Sequence, residues 1–297
     1  MSKLRYYVNK VHLWWQKSET VLSMNNRNLG FIYPSNLRKH YQLADDKLLT
    51  KQALAPLKFG LAETYKVYQY FFELNTLAED LASLESFVIK PAQGSGGHGI
   101  MVIVKKREHV FITASGKQVT LEEIKKHIGN IIFGIYATAL NDKAIIEECL
   151  VSHEDLADLN QSGLSDVRLL FYKQELVLAM LRLATQKSDG KANLHQGGIG
   201  VGIDLQTGKT NYAQIRRSNI SHHPDNGTAL LERKIPQWLE LVALAKKVSE
   251  NIPLDYLGID IALTTKGPVV LEVNARPGIE IQNINLKGIR TILEDIS

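Results

Sequence analysis

A single cysteine, Cys149, among 297 residues leaves the chain without an internal disulfide, which excludes a disulfide-stapled secreted scaffold. No window approaches the ~18 uninterrupted apolar residues that a membrane-spanning helix needs. The start, MSKLRYYVNKVHLWWQKSE, holds no uncharged apolar run of signal-peptide length, so the expected compartment is the cytoplasm. Glycine (21) and proline (8) are too few for a collagenous or disordered chain. Internal repeats and low-complexity linkers are also missing. Present instead are 44% apolar and 22% charged residues, on a length that suits about two domains with a sizeable core.

Positive charge is unevenly spread. Residues 1–40 carry Lys3, Arg5, Lys10, Lys17, Arg27, Arg38 and Lys39 against Glu19 alone, a net of +6 in a chain whose total is +4. A nucleic-acid binder would spread that charge over the fold or along a stripe. Leu4, Tyr7, Val8, Val11, Trp14 and Trp15 recur there at helical spacing, which predicts an amphipathic helix. The plain reading packs its aromatic face on the domain behind it; the alternative docks it on a membrane surface or a partner.

Order along the chain predicts an α+β class with two lobes. Asp45 or Asp46 caps a helix that Pro56 closes, and Asn75 to Leu84 reads as a second, short helix. FVIKP and IMVIV read as strands on either side of a glycine loop at 94–99. Thr120 and Glu123 form a capping box for a helix reaching roughly Leu140, and KAIIEEC follows as a strand. Residues 166–214 alternate through strand-like runs, and a helix from about Pro236 to Asn251 precedes strands Tyr256–Leu263 and Pro268–Asn274. The expected units are a helical extension (1–44), a lobe with the glycine loop (45–145) and a larger lobe (146–297).

GSGGHG satisfies G-x-G-x-x-G, a weak pattern that a hairpin turn also meets. A Rossmann fingerprint needs a helix next, and Ile100-Met101-Val102-Ile103-Val104 reads as a strand. A P-loop needs Gly-Lys-Ser/Thr, and His98-Gly99-Ile100 is not that. What remains is a flap whose backbone N–H groups can approach phosphate oxygens. Lys90, at the end of a buried strand and fixed by Pro91, needs an anionic partner, and a phosphate under the flap would serve. Lys47 is a second candidate cation, although alone it would read as a solvated helix residue.

GIDIALTTKGPVVLEVNARPG, residues 258–278, carries more information. A hairpin centred on Lys266 sets Asp260 opposite Glu272, and Asn274 shares the face of Glu272. Two facing acids repel unless a cation intervenes, and hard oxygen donors select Mg²⁺ or Mn²⁺ over zinc. The alternative is an exposed polar sheet face. Arg168, Arg182 and Arg276 offer forked donors for phosphates or a carboxylate, while ordinary salt bridges would explain any one of them. His195, His222 and His223 lack a second ligand pair and read as solvated or structural.

The spaced motifs DDKLLTK, VIKPAQGSGGHG, IIEECL, DVR, NLHQGG and GIDIALTTKGPVVLEVNARPG together resemble the ATP-grasp superfamily, from about Asp45 to Gly288. Within it the chain is similar to RimK-like α-L-glutamate ligases, particularly the sugar-transfer-associated group. The resemblance implies two α+β lobes gripping ATP with Mg²⁺, Mn²⁺ being an acceptable substitute. It implies phosphate contacts from Lys47 and Lys90 and a flap of Gly94, Ser95, Gly96, Gly97, His98 and Gly99. Adenine would meet Glu147, Glu148 and the backbone near Leu150, with Glu154 by the ribose. The metal would be held by Asp260, Glu272 and Asn274, while Arg168, Arg182, Asn193 and Arg276 would face the phosphates or the acyl group being activated. The implied reaction passes the γ-phosphate to a carboxylate, and an amine then attacks the acylphosphate to form an amide. No protein nucleophile is required, in keeping with the want of a Ser/His/Asp or Cys/His set.

Two departures bear on substrate. RimK-like ligases carry a fuller domain where residues 1–44 stand, and Arg276 and Gln196 replace a small and a basic residue, which implies a different acceptor. The expected partners are a small-molecule or peptide carboxylate and an amino acid such as glutamate, with no nucleic acid. Two other functions compete: an ATP-grasp kinase, though not of the protein-kinase type, since neither HRD nor DFG occurs; and a catalytically idle nucleotide-binding partner.

Overall fold

A computed structural model of the chain describes residues 19–94, 96–107, 110–137, 141–160, 163–188 and 190–297. The amphipathic helix expected around Leu4 to Trp15, and Ser95 of the flap, lie outside the described residues. Two antiparallel sheets organise the rest. The first contains β1 (Thr64–Tyr68), β2 (Phe87–Pro91), β3 (Met101–Arg107), β4 (Val110–Thr113), β5 (Gln118–Thr120) and β6 (Ala144–Glu147), in the order β1-β6-β2-β3-β4-β5. The second contains β7 (Asp166–Tyr172), β8 (Glu175–Leu183), β9 (Ile199–Ile203), β10 (Thr210–Ile215), β11 (Ser218–Asn219), β12 (Tyr256–Thr264) and β13 (Gly267–Asn274), in the order β11-β10-β9-β8-β7-β12-β13.

Local chemistry explains the helices. Asp46 caps α1 (Lys47–Leu54) by accepting from Leu48 N at 2.8 Å and Leu49 N at 3.2 Å. The helix buries Leu54 in the core of the second sheet, not the first, although it precedes every strand. The capping box at Thr120 and Glu123 starts α2 (Leu121–Ile132), which stops well short of Leu140. Gly134, at φ +74°, turns the chain out of the helix, and Asp142 N returns to the carbonyl of Ile132. The short helix expected from Asn75 to Leu84 is present as one α-helical turn, Leu77–Asp80, entered from a 3₁₀ helix, Phe71–Thr76. α3 (Trp238–Asn251) packs on β12, and α4 (Glu280–Ile284) and α5 (Arg290–Ile296) close the chain.

The period-two alternation of β7, β8 and β12 serves two cores at once. Val167, Leu169, Ala179, Leu181, Ile259 and Ile261 face one core with α3. Leu170, Tyr172, Leu178, Met180 and Tyr256 face the other, beneath Leu22, Phe31, Ile32, α4 and α5. Further along that second face the apolar residues give way to Asp166, Arg168, Arg182 and Asp260. One face of one sheet is therefore apolar where helices cover it and charged where they do not.

Residues 19–45 lie along the covered half as a strap. Gln282 exchanges two hydrogen bonds with the backbone of Leu22. Asn36 accepts from Tyr256 N at 2.9 Å and donates to Tyr256 O at 2.7 Å, so an amide side chain acts as a strand edge. The same Asn36 amide reaches the carbonyl of Ala275 at 3.4 Å, and buried Arg27 donates to Pro277 O at 2.6 Å. Between them Arg276 pairs with Asp45 at 2.8 Å and lies over the Tyr41 ring. Three consecutive residues after β13 are thus each held by the strap.

Candidate nucleotide and metal site

The β12–β13 hairpin sets Asp260 opposite Glu272, as the sequence spacing suggests, but by another route. The turn is two residues, Thr265 and Lys266, and would by itself pair Asp260 with Leu271. A bulge between Asp260 and Ile261 shifts the register by one and restores the pairing with Glu272. Asn274 then donates to Asp260 Oδ2 at 3.3 Å.

The two facing acids are each partnered by cations of the chain itself, Asp260 by arginines and Glu272 by Lys47. Arg168 grips Asp260 with two bonds, Nε to Oδ1 at 2.7 Å and Nη2 to Oδ2 at 2.6 Å, and Arg182 reaches Oδ2 at 2.7 Å. Arg182 also donates to Asp166 Oδ1 at 2.6 Å. The two arginines, expected to face phosphates or an acyl group, have their forks engaged by carboxylates. The cause is local: Asp260 is Cα partner to Arg168 and Asp166 to Arg182, so each acid has an arginine directly across the ladder. Burial opposes the charge on Asp260, but Arg168 and Arg182 outweigh it and bring its carboxyl to about 2. At Asp166 burial prevails over Arg182, helped by the neighbouring Asp260, and lifts the carboxyl to about 6.

Glu272 is the more open carboxylate, its side chain 27% exposed and Lys47 Nζ 3.8 Å away. Lys47 also donates to the carbonyl of Gly94 at 2.7 Å, linking the metal patch to the root of the flap. On the first sheet Lys90 pairs with Glu147, so its partner is a carboxylate of the neighbouring strand, with Lys90 and Ile145 in register. Lys51, one turn beyond Lys47 on α1, reaches the other oxygen of Glu147 at 2.7 Å. Burial acts against Glu147, yet the two lysines hold its carboxyl below the usual range. Lys51 was not singled out from the sequence; its i,i+4 spacing from Lys47 was the signal to follow.

Glu147 and Glu148, expected at adenine, both have engaged carboxylates, the latter by Lys266. Burial raises the thiol of Cys149, which follows them. Leu150 is half-buried, and Glu154 is exposed at the start of a short turn, Glu154–Leu156.

The flap has the backbone that glycine allows. Gly96, Gly97 and Gly99 lie at φ +63°, +76° and +77°. At its rear the carbonyl of Gly99 lies 2.9 Å from His127 Nε2, and Tyr136 covers Gly99 so closely that a Cβ would meet the ring at 2.7 Å. Burial pulls His127 below the usual histidine range. At its tip the carbonyl of Gly96 accepts from Gln196 at 3.1 Å and Asn193 at 3.4 Å, and His98 meets Gln196 at 3.2 Å. The flap of one sheet is therefore in contact with a loop of the other. Of the histidines read as structural or solvated, buried His223 lies 3.1 Å from the carbonyl of Ala184, and His222 contacts Ser221. His195 is exposed.

The donor set is made of hard oxygens: two carboxylates and an amide. Among the described residues no group of three or more His, Cys, Asp or Glu side chains is placed to hold a metal by itself. Glu272 is the open donor of the three, whereas both oxygens of Asp260 already accept from Arg168, Arg182 and Asn274; hard oxygens are the ligands that Mg²⁺ takes, one or two carboxylates together with waters and substrate phosphates. No helix of the described residues is long and apolar enough to cross a membrane.

The two α+β lobes, with a glycine flap on the first sheet and the β12–β13 hairpin on the second, are those of an ATP-grasp protein. The chain belongs to the sugar-transfer associated ATP-grasp family, whose model matches residues 26–297. It is 25% identical over 81% of its length to a probable α-L-glutamate ligase of Mannheimia succiniciproducens, covering 58% of that protein. It is 30% identical over 84% of its length to a ribosomal protein bS6–L-glutamate ligase of Shigella boydii, covering 61% of it. The chain thus spans about three fifths of these relatives. Among solved structures it is similar to the D-alanine–D-alanine ligase of Helicobacter pylori, with 13% identity, 86% of this chain and 60% of that one covered, and a TM-score of 0.48.

Proposed function

We propose that the chain is an ATP- and Mg²⁺-dependent carboxylate–amine ligase that forms an amide through an acylphosphate, with glutamate among the candidate amino-acid substrates. The observation that carries this reading is a gathering of three little-exposed lysines at the root of the glycine flap: Lys47, Lys51 and Lys90 meet there against Glu147 and Glu272, with Asp142 near Lys47. Cations gathered out of water need an anion, and a polyphosphate beneath the glycines supplies one.

In this reading Lys90 and Lys47 orient the phosphates, and the backbone of Gly94, Gly96, Gly97 and Gly99, with Ser95 and His98, covers them and excludes water. Glu272, Asn274 and Asp260 would hold the metal, which would supply positive charge against phosphate oxygens. Arg168 and Arg182 fix Asp260 in its ionised form, and Asn193 and Arg276 border the place where the carboxylate substrate lies. Adenine lies against the strand end at Glu147–Leu150, with Glu154 by the ribose. Catalysis then consists of positioning and charge neutralisation, as in phosphoryl transfer generally. The likeness to glutamate ligases supports an amino acid as the amine.

The test is incubation with Mg-ATP and pools of carboxylic acids and amino acids. ADP and phosphate formed only when an acid is present, together with an amide by mass spectrometry, support the ligase. A phosphorylated product without amide would make it a kinase, and tight ATP binding without turnover an idle partner. Glu272→Gln should abolish turnover while leaving the circular dichroism spectrum unchanged, because it removes the most open carboxylate of the patch. Turnover within about threefold of wild type, less than a single transition-state contact is worth, would remove Glu272 from the metal.

A further inference from the structure

We propose that Lys51 is a positioning residue which, by occupying half of Glu147, leaves the charge of Lys90 available to a polyphosphate. The proposal rests on the nucleotide reading above.

The ammonium of Lys51 has three acceptors: Ala62 O at 2.9 Å, Thr64 Oγ1 at 2.7 Å and Glu147 Oε2 at 2.7 Å. An ammonium has three donors, so Lys51 has none left for a ligand. Lys90 takes the other oxygen of the same carboxylate. One carboxylate offsets one cation, so the trio carries a net charge of +1, with side chains 16%, 5% and 8% exposed for Lys51, Glu147 and Lys90. Because Lys51 is saturated and points toward β1, the uncompensated charge is expressed on Lys90, at the strand end that leads into the flap. Without the charge of Lys51, Lys90 and Glu147 would form a closed neutral pair, and the trio would lose its net charge. Lys47 and Lys51 divide the work of one helix face: the first ties the flap root, the second sets the charge balance behind Lys90.

Calorimetric titration of the full chain with ADP and, separately, with adenosine tests this. Wild type should bind ADP more tightly than adenosine; equal binding, or none, would overturn the nucleotide reading itself. Given that preference, Lys51→Met should weaken ADP about tenfold and leave adenosine within about twofold, the size of one screened charge interaction. Lys51→Arg should restore the preference. A Lys51→Met protein that melts earlier yet keeps the full ADP-to-adenosine ratio would show a plain staple between α1 and β1 and refute the proposal, as would a Lys51→Arg protein that binds ADP no better than Lys51→Met. If Lys51→Met does not fold, Lys51→Gln takes its place in the same series.

Discussion

Replacing Arg182 by methionine should be among the costliest single changes in the second sheet, and its cost should depend on pH in a defined direction. The guanidinium bonds Asp166 and Asp260, its side chain only 12% exposed. Arg168 still grips Asp260 in the variant, so the orphan is Asp166. Removing one partner of a buried ion pair costs about 3–5 kcal/mol. The retained grip on Asp260 puts the expectation near the lower end, about 3 kcal/mol, or a fall in Tm of roughly 6–12 °C for a unit of this size. The Asp166 carboxyl, already lifted to about 6, loses the cation that restrains it and rises further. A group whose folded value is raised stabilises most below its unfolded value and loses that contribution as pH climbs through the folded one. The deficit of Arg182→Met against wild type should therefore be larger at pH 8 than at pH 5, where Asp166 takes up a proton. Urea denaturation followed by circular dichroism at both pH values measures this, and Arg182→Met/Asp166→Asn should recover part of the loss at pH 8. A deficit below about 1 kcal/mol, the level of an exposed pair, or one equal at both pH values, would refute the reasoning.

Two smaller perturbations probe the frame of the cleft. Gly99→Ala should destabilise by about 2–3 kcal/mol in thermal melts, against about 1 kcal/mol for Gly227→Ala, because both have positive φ but only Gly99 is covered by Tyr136; equal losses would count against the close contact. Asp46→Ala should lower stability by about 1 kcal/mol in urea titration and Asp46→Asn by much less, since the asparagine oxygen can still accept from Leu48 and Leu49; identical effects of the two would assign the loss to charge instead of capping.

What the sequence discloses is what short-range physics decides. The cap at Asp46, the box at Thr120 and Glu123, and the alternation through β12 and β13 are all settled by residues within a few positions of one another. Two local signals act beyond periodicity: α2 stops at Ile132, where Gly134 turns the chain, instead of near Leu140, and a two-residue turn plus a bulge produces the Asp260–Glu272 pairing that a turn centred on Lys266 predicts. The remaining differences come from partners distant in sequence. Lys90 finds Glu147 because β2 and β6 are adjacent in the sheet, and Arg168 and Arg182 find Asp260 because β12 returns beside β7. No spacing in the chain encodes those ladders, and the charges read as waiting for a ligand were in good part waiting for each other. The strap was likewise illegible, since Arg27 and Asn36 act through backbone carbonyls, which every residue possesses.

That strap has a practical consequence for recombining related chains. A chimera that exchanges the segment before α1 but keeps its own loop after β13 would combine a clasp with a foreign buckle: Arg27, Asn36 and Asp45 would confront carbonyls and a side chain for which they were not matched. The two stretches, about 250 residues apart as Arg27 and Pro277 are, form one inheritable unit and should be transplanted together.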